Sequence, residues 1–315
     1  MQYCQCTIDL LTEKIYNYRY RGEKMRKITA IIIILVLMLS GCVPAKKVGT
    51  SKLKIVTSFY PIMLLTKAVV GDVDGVTIQN MTKPQTGCLH DYTLLPEDMK
   101  TLEAADVFVI NGLGMESFLQ KVVSGLPNLK IIDLSKNINA IEDNPHIWLA
   151  PKNAMQMVRN LSDELSKIDK QNLEKYVQNS SNYIEILTVL DDKTIKAVEK
   201  LPNKDIITFH EAFPYYAQAY GLNIKAVIER EPGDEPTAAQ LKETVDIIRN
   251  SNARVLFTEP QYPSSAAKII ANETGANLYV LDPVVTGDNN ANADEYIKTM
   301  EKNLLTLIES LGGAL

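Results

Sequence analysis

Three histidines occur in 315 residues, at positions 90, 146 and 210. His90 lies in "TGCLHDY" after the apolar run "VTIQNM", and His146 lies in "DNPHIWLAP" after "KIIDL". His210 ends the run "DIITFH", and Asp282 ends a fourth, "NLYVLD". An imidazole can bind metal, move protons or simply pack. Three imidazoles and one carboxylate make a complete four-coordinate shell for a divalent transition ion, with nitrogens at about 2.0–2.1 Å. Nitrogen donors favour Zn2+; Mn2+ ranks second because it prefers oxygen-rich sites. Each residue also has a plainer reading, since His146 can pack on Trp148 and His210 can cap the helix that follows it.

Two neighbours widen the candidate set. Cys88 stands two residues before His90; as a thiolate it is an excellent zinc ligand, and as a thiol it is an ordinary small buried residue. Glu259 ends "RVLFTE". It is a candidate fifth ligand, an acceptor that orients an imidazole, or a structural carboxylate. Glu211 beside His210 invites a hydrolase reading, but a zinc-protease helix needs His-Glu-x-x-His and position 214 is proline.

The elements that must position these groups follow an α/β pattern. Strand-like runs occur at 53–59, 76–81, 107–111 and 130–134, with helices ending at Gly71, following Pro96 and starting near Met115. A second series comprises 205–210, 224–228, 254–259 and 277–282. Alternating strands and helices imply parallel sheets, whose ligands gather at the carboxyl ends of the strands. Between the series, apolar or small positions from Gln171 to Leu201 recur at threes and fours without proline or glycine. Such a helix runs about 45 Å. The expectation is two lobes, 53–168 and 202–315, each with a mostly four-stranded parallel sheet flanked by helices. A long rigid helix, 169–201, joins them, and the metal site lies in the cleft: His90 and His146 come from one lobe, His210 and Asp282 from the other.

The N-terminus reads as an export signal. Arg26 and Lys27 precede "ITAIIIILVLML", a run short of the roughly 20 residues needed to span hydrocarbon. It ends Leu39-Ser40-Gly41-Cys42, which looks like a bacterial lipobox whose cysteine becomes lipidated. Residues 1–24 then read as an extension ahead of Met25, 25–41 as the signal peptide and 42–52 as a lipidated tether; a plain transmembrane anchor is the alternative. Cys88 remains alone in the exported part, so no internal disulfide is expected.

Composition excludes several classes. A net charge of −5 opposes nucleic-acid binding, which calls for a basic face. "NGLGMES" (111–117) lacks the third glycine of a dinucleotide loop, and there is neither a Walker lysine nor a Gly-x-Ser-x-Gly elbow. "EREPGDEP" (229–236) reads as a turn and helix start, with contact to a permease as its functional alternative.

Taken together, the chain resembles the metal-binding lipoproteins of bacterial ABC importers for zinc and manganese. The resemblance runs from about Lys54 to the end, through "SFYPIMLLTKAVVGD", "HDYTLLPEDMKTLEAADVFVINGLGMESFL", "NPHIWLAPKNA", "TFHEAFPYYAQAYGL", "EPGDEPTAAQLKE" and "VLFTEPQYPSSAAKIIANETGANLYVLDP". It implies metal-binding positions at His90, His146, His210 and Asp282 and no catalysis. It further implies a monomer held by lipid on Cys42 at the outer face of the membrane, and delivery of Zn2+ or, second, Mn2+ to a permease and its ATPase. The chain departs from the family at "TGCLHDY", where Asp-Pro-His is usual, and at Asn144, where Asp is frequent. It also lacks the His-rich acidic loop of many zinc-specific relatives, whereas histidine instead of glutamate at position 210 favours zinc. A zinc-dependent surface hydrolase and an adhesin are the competing readings.

Overall fold

The computed structural model describes residues 53–89, 92–229, 237–251, 253–261 and 265–313. His90, Cys42, the expected extension, signal and tether, and most of "EREPGDEP" lie outside the described residues. No helix among the described residues is long and apolar enough to cross a membrane.

Among the described residues, eight short strands form two sheets. β1 (Leu53–Thr57), β2 (Val76–Asn80), β3 (Val107–Ile110) and β4 (Lys130–Asp133) lie in the order β2-β1-β3-β4. β5 (Asp205–His210), β6 (Asn223–Glu229), β7 (Val255–Thr258) and β8 (Asn277–Val280) repeat that topology as β6-β5-β7-β8. Every pairing is parallel. The expected fold class is therefore the observed one. In each sheet the chain reverses its winding between the first and third strands, opening a crevice at their carboxyl ends where ligands bind in such folds.

Seven of the eight strands depart by a residue or two from the apolar runs, and β5 alone matches its run. β8 stops at Val280, so Asp282 stands two residues past the sheet instead of closing the strand. Near Met115 the expected helix is a 3-10 turn, Ser117–Leu119, followed by one helical turn, Gln120–Val123.

The long helix spans Leu173–Glu199, 27 residues, or about 40 Å. It starts two residues after Gln171, where the periodic run begins, and four after the expected bound at 169, because Lys170–Asn172 forms a 3-10 turn. There Asp169 Oδ2 accepts from Asn172 Nδ2 at 2.7 Å and Tyr176 Oη at 2.8 Å. Its buried residues Tyr176, Ser180, Tyr183, Leu187, Leu190, Thr194 and Val198 recur at threes and fours and face the helices of both lobes. One core cluster runs from Ile55 and Trp148 through Leu187 and Val198 to Tyr216 and Tyr296. The outer faces of the two sheets carry smaller clusters, around Phe209 and Leu256 and around Val56 and Phe108.

Polar ties fix the spine to both sides. Asn179 Nδ2 donates to the carbonyls of Val69 and Val70 at 3.1 and 3.2 Å, whereas Tyr183 Oη donates to the Ala293 carbonyl at 2.9 Å. Gly71 makes the first contact possible. Its φ is +56°, and a Cβ there would sit 2.6 Å from Asn179 Nδ2. A hinge that opened the lobes widely would break these bonds and expose the shared core.

Candidate metal centre

His146 sits after β4, at the start of a 3-10 turn, Ile147–Leu149, that leads into the helix Pro151–Ile168. The turn is anchored to the end of β3, because Asn111 Nδ2 donates to the Pro145 carbonyl at 2.9 Å. Trp148 holds it to the other lobe. Its Nε1 donates to the Pro283 carbonyl at 2.8 Å, and its own carbonyl accepts from Tyr296 Oη at 2.6 Å. The His146 ring packs 5.2 Å from the Trp148 ring, so the packing reading is correct as far as it goes. Packing leaves the ring nitrogens to be explained.

Asn144 settles the tautomer. The Glu211 carbonyl can only accept, so the Asn144 group 2.7 Å from it is Nδ2. The amide oxygen therefore faces His146, 3.0 Å from its backbone N and 3.0 Å from Nδ1. Nδ1 carries the proton, and Nε2 keeps its lone pair. That lone pair points into the protein interior, where Cys88 Sγ lies 3.5 Å away.

His210 ends β5, buried like His146 at 1% exposure. Strand register explains its neighbour. Thr208 pairs with Phe257 across β5 and β7, and two residues on the same register sets His210 beside Glu259. Glu259 Oε1 lies 3.3 Å from His210 Nδ1, and its other oxygen accepts from Gln261 Nε2 at 2.6 Å. A carboxylate beside Nδ1 suits the tautomer that carries its proton there and leaves the Nε2 lone pair available. The two imidazoles meet edge to face with centroids 5.0 Å apart.

Among the described residues, Cys88, His146 and His210 each offer a ligand atom within 4.8 Å of the other two, all three buried. Asp282 is outside that group. Its Oδ1 accepts from the Val284 N–H at 2.8 Å, and Asn303 pins its backbone by donating to its carbonyl and accepting from its N–H. Burial raises the pKa of its carboxyl, with a smaller push from the Glu259 charge. Glu211 lines an open cleft leading to His146, together with Glu142 and Asp143.

One buried carboxylate near the site escaped sequence reasoning. Glu116 accepts from the Asn111 and Gly112 N–H groups at 2.8 and 3.1 Å, and so holds the residue that anchors Pro145. Burial, opposed by these donors and the Ser58 hydroxyl, pushes its pKa up to about 7. The glycines of "NGLGMES" serve this turn. Gly112 has φ +88°, and a Cβ there would collide with the Asp133 carboxylate. A glycine-rich turn with an acid four residues on was the available signal.

Known proteins resemble this chain in sequence and fold. A high-affinity zinc uptake protein ZnuA of Bacillus subtilis is 30% identical over 89% of this chain and 96% of its own length. A manganese-binding lipoprotein MntA of Halalkalibacterium halodurans is 29% identical over 89% and 97%. The solved Zn(II)-bound ZnuA-like domain of Streptococcus pneumoniae AdcA has a TM-score of 0.72 at 29% identity, covering 82% of this chain and 99% of that one. The family model described as "ZnuA: Zinc-uptake complex component A periplasmic" matches residues 55–310. With two lobes, a shared spine and that span of matching sequence, the chain belongs to the ZnuA family.

Proposed function

We propose that this protein captures a divalent transition ion outside the cytoplasm and passes it to a membrane permease driven by a separate ATPase. Zn2+ is the preferred cargo and Mn2+ the second. One observation carries the reading: two buried imidazoles from different lobes each offer a ring nitrogen within 4.8 Å of the other and of Cys88 Sγ, and each has an oxygen near Nδ1, Asn144 Oδ1 at 3.0 Å and Glu259 Oε1 at 3.3 Å. An ion held there is bound by both lobes and stabilises the folded state by mass action.

His146 and His210 are ligands in this proposal. His90 joins them from two residues beyond Cys88, and Asp282 supplies a carboxylate from the loop pinned by Asn303. The protein binds without catalysing. Glu259 has one oxygen at His210 and the other on Gln261, which leaves it poorly placed to activate water. Cys42 carries the lipid that holds the monomer at the outer face of the membrane. Relatives named for zinc and for manganese are about equally similar, so the nitrogen-rich donors of this chain decide the preference.

Elemental analysis of protein purified without added metal, followed by Zn2+ and Mn2+ competition, tests the proposal. Bound zinc that excess manganese does not displace is expected. Tight retention of manganese over zinc overturns the choice of ion, and absence of binding to either overturns the function. His146→Ala is expected to lower affinity by orders of magnitude.

A further inference from the structure

We infer that Cys88 is itself a ligand of the captured ion, which makes this a site for thiophilic dications such as Zn2+ and biases it against Mn2+. The inference rests on the metal-capture reading above and revises its donor set: Cys88 takes the fourth tetrahedral position in place of Asp282, which lies outside the group of Cys88, His146 and His210.

Geometry carries it. Zinc–sulfur and zinc–nitrogen bonds of about 2.3 and 2.0–2.1 Å, at the tetrahedral angle, set the two donor atoms about 3.6 Å apart. Cys88 Sγ and His146 Nε2 are 3.5 Å apart, one edge of that tetrahedron. His210 completes the group of three donors within 4.8 Å of one another, drawn from both lobes. His146 Nε2 is the lone-pair nitrogen, because Nδ1 is committed to Asn144 Oδ1. Cys88 is 9% exposed, on a loop that leaves β2 at the carboxyl edge of its sheet.

On capture the Cys88 S–H bond breaks, its proton passes to solvent, and a sulfur–metal bond forms with no change of oxidation state. A thiolate is a soft donor that zinc accepts readily and manganese poorly. Loss of this one donor therefore weakens Zn2+ binding more than Mn2+ binding.

Co2+ added to the full chain under reducing conditions tests this. Its visible d–d bands report binding by any donors, and a near-ultraviolet charge-transfer band reports a cobalt–thiolate bond. Wild type is expected to show both. C88S keeps the visible bands and loses the near-ultraviolet band. Its Zn2+ affinity falls about ten- to a hundredfold, the cost seen when even an outer partner of a metal ligand is removed, and its Mn2+ affinity falls less. Visible bands without charge transfer in wild type mean that Cys88 merely donates a hydrogen bond to His146, and overturn the inference while leaving metal capture intact. A charge-transfer band that persists in C88S comes from another cysteine and overturns it equally. Failure of wild type to bind Co2+, Zn2+ or Mn2+ sinks metal capture along with it.

Discussion

Asn144 and Glu211 lie on opposite lobes, and the Asn144 side-chain amide donates to the Glu211 carbonyl at 2.7 Å. The same amide accepts from His146 with its oxygen. A single side chain thus joins the lobes and fixes the His146 tautomer, a pair of duties an aspartate cannot perform because it has no donor for the carbonyl. Tyr215 reinforces the seam, accepting from the Ile141 N–H at 3.0 Å and donating to the Asn144 carbonyl at 2.7 Å.

Replacing Asn144 by Asp separates these duties. The carboxylate still accepts from His146 Nδ1 and makes the ring more basic, but it turns an anion toward the Glu211 carbonyl. Thermal melts of the metal-free variant should show a loss of about 1–3 kcal/mol, with Zn2+ affinity retained. Asn144→Ala loses both functions, so its affinity should drop as well. Equal affinity in the Ala variant would mean that the tautomer is held by something else.

Glu259 Oε1 lies 3.3 Å from His210 Nδ1, close enough for its charge to favour a proton on that nitrogen. Glu259→Gln keeps an acceptor for Nδ1 but removes the charge, so Zn2+ affinity should fall by about tenfold, and in Glu259→Ala toward a hundredfold. Competition titration against a chelator measures both. A hydrolase reading makes a different demand, since it requires turnover in wild type that vanishes in Glu259→Gln.

Much of this was legible in the sequence, and what escaped shares a cause. Parallel sheets, the spine and the sheet-edge location of His146 and His210 follow from apolar periodicity, because burial on both faces of a parallel strand leaves a continuous apolar run. Register does not. The proximity of His210 and Glu259 depends on the pairing of Thr208 with Phe257, across a crossover of some 50 residues with no local signature. Asp282 was expected at a strand end, yet Val280 closes β8: a leucine continues the apolar pattern whether or not its backbone stays in the ladder. Glu116 was invisible for the converse reason, since a single carboxylate in a turn reads as solvated until the two backbone donors that hold it are found.

Glu116 gives the fold a calculable pH dependence. Its pKa is raised by burial from 4.5 to about 7 in the folded protein, so the native state binds this proton more tightly than the unfolded chain does. The stability it contributes is complete below about pH 4.5, is lost as pH rises toward 7, and changes no further beyond that. Urea melts of metal-free wild type and Glu116→Gln at several pH values between 5 and 8 isolate the effect, because histidine titration is common to both and cancels. Wild type should lose stability relative to the variant as pH rises. A flat difference would show that the carboxylate stays ionised throughout.

The approach to the site should be electrostatically steered. Glu142, Asp143 and Glu211 line the cleft that opens on His146, and the first two are exposed. Like-signed charges around a cleft raise the local concentration of oppositely charged ligands and hence the rate of encounter. None of these side chains belongs to the proposed ligand set. Glu142→Gln with Asp143→Asn should therefore slow Zn2+ association several-fold at low ionic strength and leave dissociation unchanged. The difference should fade near 0.1 M salt and above, where screening acts over about 10 Å. Stopped-flow mixing with a zinc-responsive dye separates the two rates, and an effect confined to dissociation would instead make these carboxylates part of the binding shell.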